Sequence, residues 1–434
     1  MISLIFHAGQ KIALLFRVDF WRVAGQAEMV TAVSSEAPAF KLQPRNPRLA
    51  EWLKDYPDGV FSEQLYQSIE VMERYSIELA IILLSELHIL EQLTDWKSAD
   101  EVCSALSFQP RFRSALGWLM ERLVETGCIG ARSDGNVRSY YLQQRPWTPD
   151  LERLRTLAME IDSGNSATLD LLDHAASIYP SVARGEQTGE QSMFGQKGVG
   201  LWLAYFHNSN LTYAVNNWVG ALLAADCISG KDTLRILEIG AGPGSASETL
   251  LRWFQERGLL PRIERYLITE PNAFFRRRAQ RELSNRYPNT MLEWATLDLN
   301  LPWRDQIVPA GEFDLIYAVN VMHVSKNLVF SLEQARSVLA DHGWLVIGEC
   351  VRPYVDQPIY PELMFQTLDS FIDIHIEPDI RPRPGFLTPE QWRGAFERAG
   401  FVSCGIRPDI ERIREEYSHF FTGAICGQNS RNDQ

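Results

Sequence analysis

The sequence predicts an α/β protein: a doubly wound, mostly parallel sheet with an antiparallel last strand, preceded by a mainly helical region. Three observations carry this. From Leu234 onward, short apolar runs alternate with amphipathic helical stretches, the pattern of parallel strands joined by crossover helices. A glycine-rich turn, Gly240-Ala241-Gly242-Pro243-Gly244, follows the first run and opens a helical stretch. Between residues 50 and 226, in contrast, apolar residues recur mainly at helical spacing.

A chain of 434 residues is too long for one ordinary core. It divides into an extension (residues 1–48), a helical domain (49–148), a helical linker or lid (149–228) and the sheet domain (229–428). In the extension, His7, Lys11, Arg17, Asp19 and Arg22 interrupt the apolar stretch from Met1 to Val23. It therefore lacks both the ~18 apolar residues of a membrane span and the unbroken core of a signal peptide. It reads as a poorly ordered extension or an upstream start codon. With 45% hydrophobic and 22% charged residues, the composition is that of a soluble globular protein. The net charge of −13 argues against a nucleic-acid partner, since phosphate backbones require a basic face. Six scattered cysteines with no CxxC pair read as reduced thiols of a cytoplasmic protein, with no metal-site spacing.

In the helical domain, helical periodicity covers Ile77–Leu93 and Phe112–Leu123, and Ser98-Ala99-Asp100-Glu101 reads as a helix start. Ser133-Asp134-Gly135-Asn136 then lies between two short β-prone runs, a hairpin signal. Helices followed by such a hairpin make a winged-helix-like pattern. From Val71 to Leu142 there are ten acidic and seven basic residues, so a role in homodimerisation or substrate capping is expected rather than DNA binding. Farther on, the turn region Arg184–Gly200 precedes an aromatic stripe within Leu201–Ala225, with Trp202, Tyr205, Phe206, Tyr213 and Trp218. Such a stripe packs on a neighbouring domain or lines a pocket.

In the sheet domain, buried strands are expected at Leu234–Ile239, Arg265–Thr269, Met291–Ala295, Phe313–Val319 and Trp344–Glu349, and two closing strands at Phe401–Ile406 and Phe420–Cys426. Helices are expected at Ser245–Glu256, Ala273–Tyr287 and Leu328–Leu339.

Gly240, Gly242 and Gly244 permit a tight turn and close approach of a ligand, a feature shared with dinucleotide-binding folds. Glu238, two residues before the first glycine, suits a cationic ligand such as the sulfonium and amino groups of S-adenosylmethionine (SAM) and is ill-placed for a pyrophosphate. Glu270 ends the next strand, where a carboxylate can accept from both ribose hydroxyls. Asp298 and Leu299 follow the third strand, where the acid can accept from an adenine amino group. Singly, each acid could be a helix cap or loop residue; three at successive strand ends favour the cofactor. The segments EIGAGPGS, YLITEP and LDLN together resemble the class I methyltransferase motifs, which implies a Rossmann-like sheet and SAM as cofactor.

Asn320, at the end of the next strand, joins the cofactor-binding set. His323 follows it, and Glu349 ends the neighbouring strand. A lone strand-end histidine reads as a packing or capping residue. Beside a carboxylate at the cofactor's edge of the sheet, it reads as a general base with a fixed tautomer. The stretch Asn320-Val321-Met322-His323, followed by Gly343 and Glu349, is similar to the C-methyltransferase domains of polyketide synthases. The likeness extends over about Arg184 to Ile406. It implies that His323 and Glu349 deprotonate the α-carbon of a β-ketoacyl thioester on a carrier protein. Glu270 stands where aspartate is common in that family. No ketosynthase, acyltransferase or carrier segment accompanies the stretch, so the sequence reads as free-standing. That leaves a free small-molecule acceptor, and hence O-methylation, as an alternative. A SAM-binding scaffold that no longer methylates is a third reading. Between Val351 and Thr388, an aromatic insertion (Tyr354, Tyr360, Met364, Phe365, Phe371, His375) reads as a substrate lid. Its Arg381 and Arg383, close to prolines, read as solvated loop residues or as contacts for an acidic substrate.

Overall fold

The computed structural model describes residues 40–42, 44–135, 137–306 and 311–430. Most of the expected extension (residues 1–39) and Asn136 of the expected hairpin lie outside the described residues.

Seven strands form the main sheet: β4 (Leu234–Ile239), β5 (Ile263–Thr269), β6 (Leu292–Ala295), β7 (Phe313–Val319), β8 (Leu339–Cys350), β9 (Val402–Arg407) and β10 (Thr422–Gln428). Their order is β6-β5-β4-β7-β8-β10-β9. The first five run parallel, and β10 pairs antiparallel with both β8 and β9. Every residue of β7 is buried, because helices cover both faces of a parallel sheet; this explains its unbroken apolar run. The chain proceeds outward from β4 to β6 and then returns to β7 on the other side of β4. That reversal opens a crevice at the carboxyl ends of β4 and β7, where open α/β sheets bind ligands.

The helices Ser245–Glu256, Ala273–Arg286 and Leu328–Val338 alternate with these strands as the sequence predicts, to within one residue. Strand β8 begins five residues before the expected Trp344. Its first part carries Asp341 and His342, both exposed, and His342 has a left-handed backbone, so no apolar signal marks the start.

In the first half, β1 (Lys97–Ser98), β2 (Ile129–Asp134) and β3 (Val137–Leu142) form a small antiparallel sheet in the order β1-β3-β2. The expected helix start at Ser98 is a capping box: the Ser98 N–H donates to Glu101 at 2.7 Å, and the Glu101 N–H donates back to the Ser98 hydroxyl at 3.3 Å. The helix expected over Ile77–Leu93 instead runs Glu63–Glu86, and His88 turns the chain with φ 56°. Leu87, Ile89 and Leu93 remain buried past the end of that helix, where the chain makes only a short 3-10 turn at Leu90–Gln92, so apolar spacing there reported core burial rather than a continuing α-helix. The aromatic stripe is likewise two helices, Gln196–Tyr205 and Leu211–Cys227. Between them the Asn210 side chain donates to the Tyr205 carbonyl at 3.0 Å. The second helix lies on the sheet, and Gly220 gives Tyr317 of β7 room to reach it.

One buried ion cluster joins the N-terminal helices to the segment after β8. Arg122, 1% exposed, donates to the Glu73 carboxylate at 2.5 Å, the Glu125 carboxylate at 2.8 Å and the Pro358 carbonyl at 3.2 Å. Glu73 also accepts from the Tyr360 N–H at 3.1 Å. Losing the cation strands a buried carboxylate. Arg122→Met is therefore expected to destabilise the protein by about 3–5 kcal/mol, read as a lowered urea midpoint; a shift below about 1 kcal/mol would contradict the clamp.

Among the described residues, no helix is long and apolar enough to cross a membrane.

Candidate active site

The glycine turn after β4 takes the left-handed conformation at Gly240, Gly242 and Gly244, with φ of 63°, 55° and 94°. Their surroundings differ. A Cβ at Gly240 would lie 2.7 Å from the Val321 side chain, and one at Gly244 would lie 3.0 Å from Ala279. At Gly242 it would meet nothing within 4 Å. Gly240 thus lets the turn press against the loop after β7, and Gly244 admits the helix Ala273–Arg286. Gly242 leaves an open face. Glu270, buried at the end of β5, reaches across the turn and accepts from the Gly242 N–H at 2.9 Å and the Asn272 N–H at 2.7 Å. Each of its oxygens keeps a lone pair for a further donor.

Glu238 sits beneath this turn, 1% exposed, and accepts from the Tyr266 hydroxyl at 2.5 Å. Burial pushes its carboxyl up to about 7; the Tyr266 hydrogen bond and the nearby Ser247 hydroxyl oppose that rise, and Glu270 adds to it. Asp298 lies exposed in the loop after β6, where it accepts from the Asn300 N–H at 2.9 Å. Leu299 beside it is nearly buried, and its carbonyl accepts from Ser331 at 3.0 Å. Asn320 adopts φ 54° and accepts from Asn216 at 2.9 Å.

Asn216 and its neighbour Asn217 are buried, and the side-chain carbonyl oxygen of each finds no partner. The sequence reading did not single them out. The signal was there: two adjacent amides interrupt an otherwise apolar helix, and buried amides require partners.

The loop after β7 brings His323 (3% exposed) to Glu349 (0% exposed). Nδ1 of His323 donates to one Glu349 oxygen at 2.8 Å. The other oxygen accepts from the N–H groups of Val321 at 3.2 Å and His323 at 3.3 Å. Three donors compensate a carboxylate withdrawn from water. The hydrogen bond assigns the proton to Nδ1 and leaves the Nε2 lone pair as the basic site. Phe386, Phe371 and Phe365 surround the imidazole at centroid distances of 4.6, 6.0 and 6.1 Å.

The solvated reading of Arg381 is corrected. It is 2% exposed, and its guanidinium donates to the backbone carbonyls of His323 and of Ser325, the latter at 2.6 Å. Burial pulls it down to about 10, partly offset by Glu349. Of the expected lid residues, Phe365 and Phe371 flank His323 and Tyr360 and Met364 are buried, whereas Tyr354 and His375 are exposed. Phe386 escaped notice because it reads as the lead-in to the following helix.

The open face at Gly242 and the carboxylate held across it lie at the sheet's switch point, and Asn216, with its unpartnered amide oxygen, is bonded to Asn320 at the end of the neighbouring strand. Residues 237–345 match the family profile described as "Methyltransferase domain". That segment is a methyltransferase domain. This domain contains the glycine turn, Glu270, Asn320 and His323, while Glu349 lies four residues beyond the matched segment.

Polyketide synthase PksR of Bacillus subtilis is 26% identical over 286 residues, covering 64% of this chain and 10% of that protein. The chain therefore spans about a tenth of that relative's length. Among solved structures, the CurJ carbon methyltransferase aligns with a TM-score of 0.71 at 23% identity, covering 89% of this chain and 97% of that one. The DszA carbon methyltransferase aligns with a TM-score of 0.67 at 20% identity, covering 92% and 100%. At these identities the two structures establish the shared fold, which includes the first half of the chain and not the methyltransferase domain alone.

Two predictions follow from the turn and the acid beneath it. An alanine in the left-handed region costs roughly 1–2 kcal/mol, and at position 240 it also strikes Val321. Gly240→Ala is expected to weaken S-adenosylhomocysteine binding by at least about tenfold and to lower thermal stability. Gly242→Ala is expected to weaken binding with a smaller loss of stability, since only the open face is filled; equal affinity in both variants and wild type would remove the turn from the cofactor site.

The second concerns pH. The Glu238 carboxyl rises from 4.5 to about 7 on folding. Its contribution to stability is therefore full below about pH 4.5 and declines as pH rises through about 7. Glu238→Gln cannot ionise. The wild-type urea midpoint should fall more steeply than the variant's between about pH 5 and pH 7, and parallel profiles would refute the assignment.

Proposed function

We propose that this chain methylates the α-carbon of a β-ketoacyl thioester or a similarly activated acyl group in polyketide biosynthesis. The observation that carries the reading is the His323–Glu349 pair, buried at adjacent strand ends beside the glycine turn. Similarity to polyketide synthases, and a fold shared with carbon methyltransferases, support the choice of carbon and of an acyl acceptor.

SAM, when bound, would supply an electrophilic methyl group, leaving S-adenosylhomocysteine. The Gly240–Gly244 turn and Glu270 would hold it, Glu270 through the ribose hydroxyls, with Leu299, Asp298 and Asn320 at the same edge of the sheet and Glu238 supporting the turn from below. His323 removes the α-proton through Nε2, and the electron pair of that C–H bond becomes available at carbon. Glu349 fixes the imidazole's orientation and stabilises the imidazolium that forms. The three phenylalanines keep water from the basic nitrogen, which strengthens the ion pair while it exists. Residues 229–428 act as the SAM-binding domain, residues 149–228 as the cover over its cofactor side, and residues 49–148 as a wall for the acceptor.

A second reading, O-methylation of a phenol or enol, has one observation in its favour: an aromatic cage also receives a planar ring. Product mass separates the two after incubation with SAM and either a β-ketoacyl thioester on a carrier protein or a panel of free phenols and enols. The expected result is one methyl group gained at the thioester's α-carbon. His323→Ala should lower that rate about 10²–10⁴-fold while S-adenosylhomocysteine still binds. Methylation confined to free hydroxyl acceptors would overturn the carbon reading.

A further inference from the structure

Behind the phenylalanine cage lies a cleft that the methyl-transfer chemistry leaves unused. A cavity of about 320 Å³ opens between the helix Arg113–Val124, the β2–β3 hairpin and the insertion after Glu349. A second cavity adjoins it and shares Arg113, Ser114 and Pro384, so the two form one elongated cleft.

Its wall is charged, and the charges are unevenly spent. Glu121 is taken by Arg138 at 2.9 Å and by the Tyr140 hydroxyl at 2.9 Å. Glu362, 0% exposed, accepts from Arg352, from the Trp118 indole N–H at 2.9 Å and from the Ile359 N–H at 3.1 Å. Arg383 is different. Its nearest carboxylate is Asp356 at 3.6 Å, which is 85% exposed. Nε of Arg383 and Nε of buried Arg352 are both withdrawn from water without a hydrogen-bond partner. The Arg383 side chain is 33% exposed, and partial burial, then the Arg352 charge, pull it down to about 10. A guanidinium in that position calls for an anion.

The backbone supplies a second observation. Gly117 sits inside the helix, where glycine costs about 1 kcal/mol relative to alanine, yet a Cβ there would meet nothing within 4 Å. Packing does not require the glycine; the space it leaves belongs to the cleft. One wall of the cleft backs onto the residues around His323. A Cβ on Gly385 would lie 2.7 Å from both the Arg352 guanidinium and the Glu362 carboxylate, and Phe386, the next residue, packs on His323.

We propose that this cleft takes the phosphate-bearing arm of the acyl thioester, with the phosphate at Arg383 and the acyl end directed past Gly385–Phe386 to His323. The proposal rests on the acyl-thioester reading above. The shared chemistry is a phosphate ester on a thioester arm, whether tethered to a carrier protein or free as coenzyme A.

The test compares three β-ketoacyl thioesters: carrier-bound, coenzyme A-bound and the phosphate-free N-acetylcysteamine. For Arg383→Gln, the ratio of kcat/KM for phosphate-bearing over phosphate-free thioester should fall on the order of tenfold. Gly117→Leu, which fills the cleft without touching the cation, should lower the same ratio. A loss with both phosphate-bearing forms, or with only one, supports the site and identifies the source of the arm. An unchanged ratio in Arg383→Gln overturns it. Calorimetric titration of phosphopantetheine alone keeps the two readings separate. Binding that Arg383→Gln abolishes, in a protein that methylates none of the thioesters, retains the cleft and sinks the acyl-thioester reading. Methylation with an unchanged ratio does the reverse.

Discussion

The arrangement depends on one buried carboxylate. Glu349 ends β8 with no exposure to water, and such a group persists as an anion only where donors replace its hydration. The donors come from the loop after β7: two backbone N–H groups and the His323 imidazole. Satisfying Glu349 therefore dictates the path of that loop. The loop in turn needs Asn320 in the left-handed region to leave the strand, and it needs the glycine turn of β4 to yield space to Val321. Glycine turn, imidazole and carboxylate are thus three consequences of adjacent parallel strands ending at one edge.

The rest of the chain encloses this edge. The helix Leu211–Cys227 lies on the sheet and brings Asn216 to Asn320. The insertion after Glu349 packs aromatic rings around His323, and Arg381 fastens it to the loop after β7. The N-terminal helices hold the insertion through the Arg122–Glu73 cluster. Two halves distant in sequence thus meet at the insertion that surrounds the imidazole.

Much of this was legible because local signals and the global fold agreed. The fully apolar run Phe313–Val319 can only be a strand covered on both faces. Alternation of strands and helices then put Glu238, Glu270, His323 and Glu349 at one edge without any contact being known. The illegible parts share a cause: their meaning lies in long-range packing. Arg381 stands among prolines and carries a charge, which locally reads as solvent-exposed, and its partners lie 58 and 56 residues away. Leu87 to Leu93 kept helical apolar spacing although the chain had left the helix at His88. The break between Tyr205 and Leu211 is made by the Asn210 side chain, invisible in an apolar stripe. Glu238 was recognised as important, but its burial under Tyr266 depends on the neighbouring strand.

Arg381 binds the base loop by its main-chain carbonyls, and a carbonyl is the same whatever side chain accompanies it. The clamp therefore does not read the side chains of the loop it grips. The insertion that carries it is constrained by its own packing instead, with Phe371 and Phe386 buried against His323 and Tyr360 held by Glu73. Changing a side chain in the loop and displacing the loop's main chain are, for this fold, two separate events.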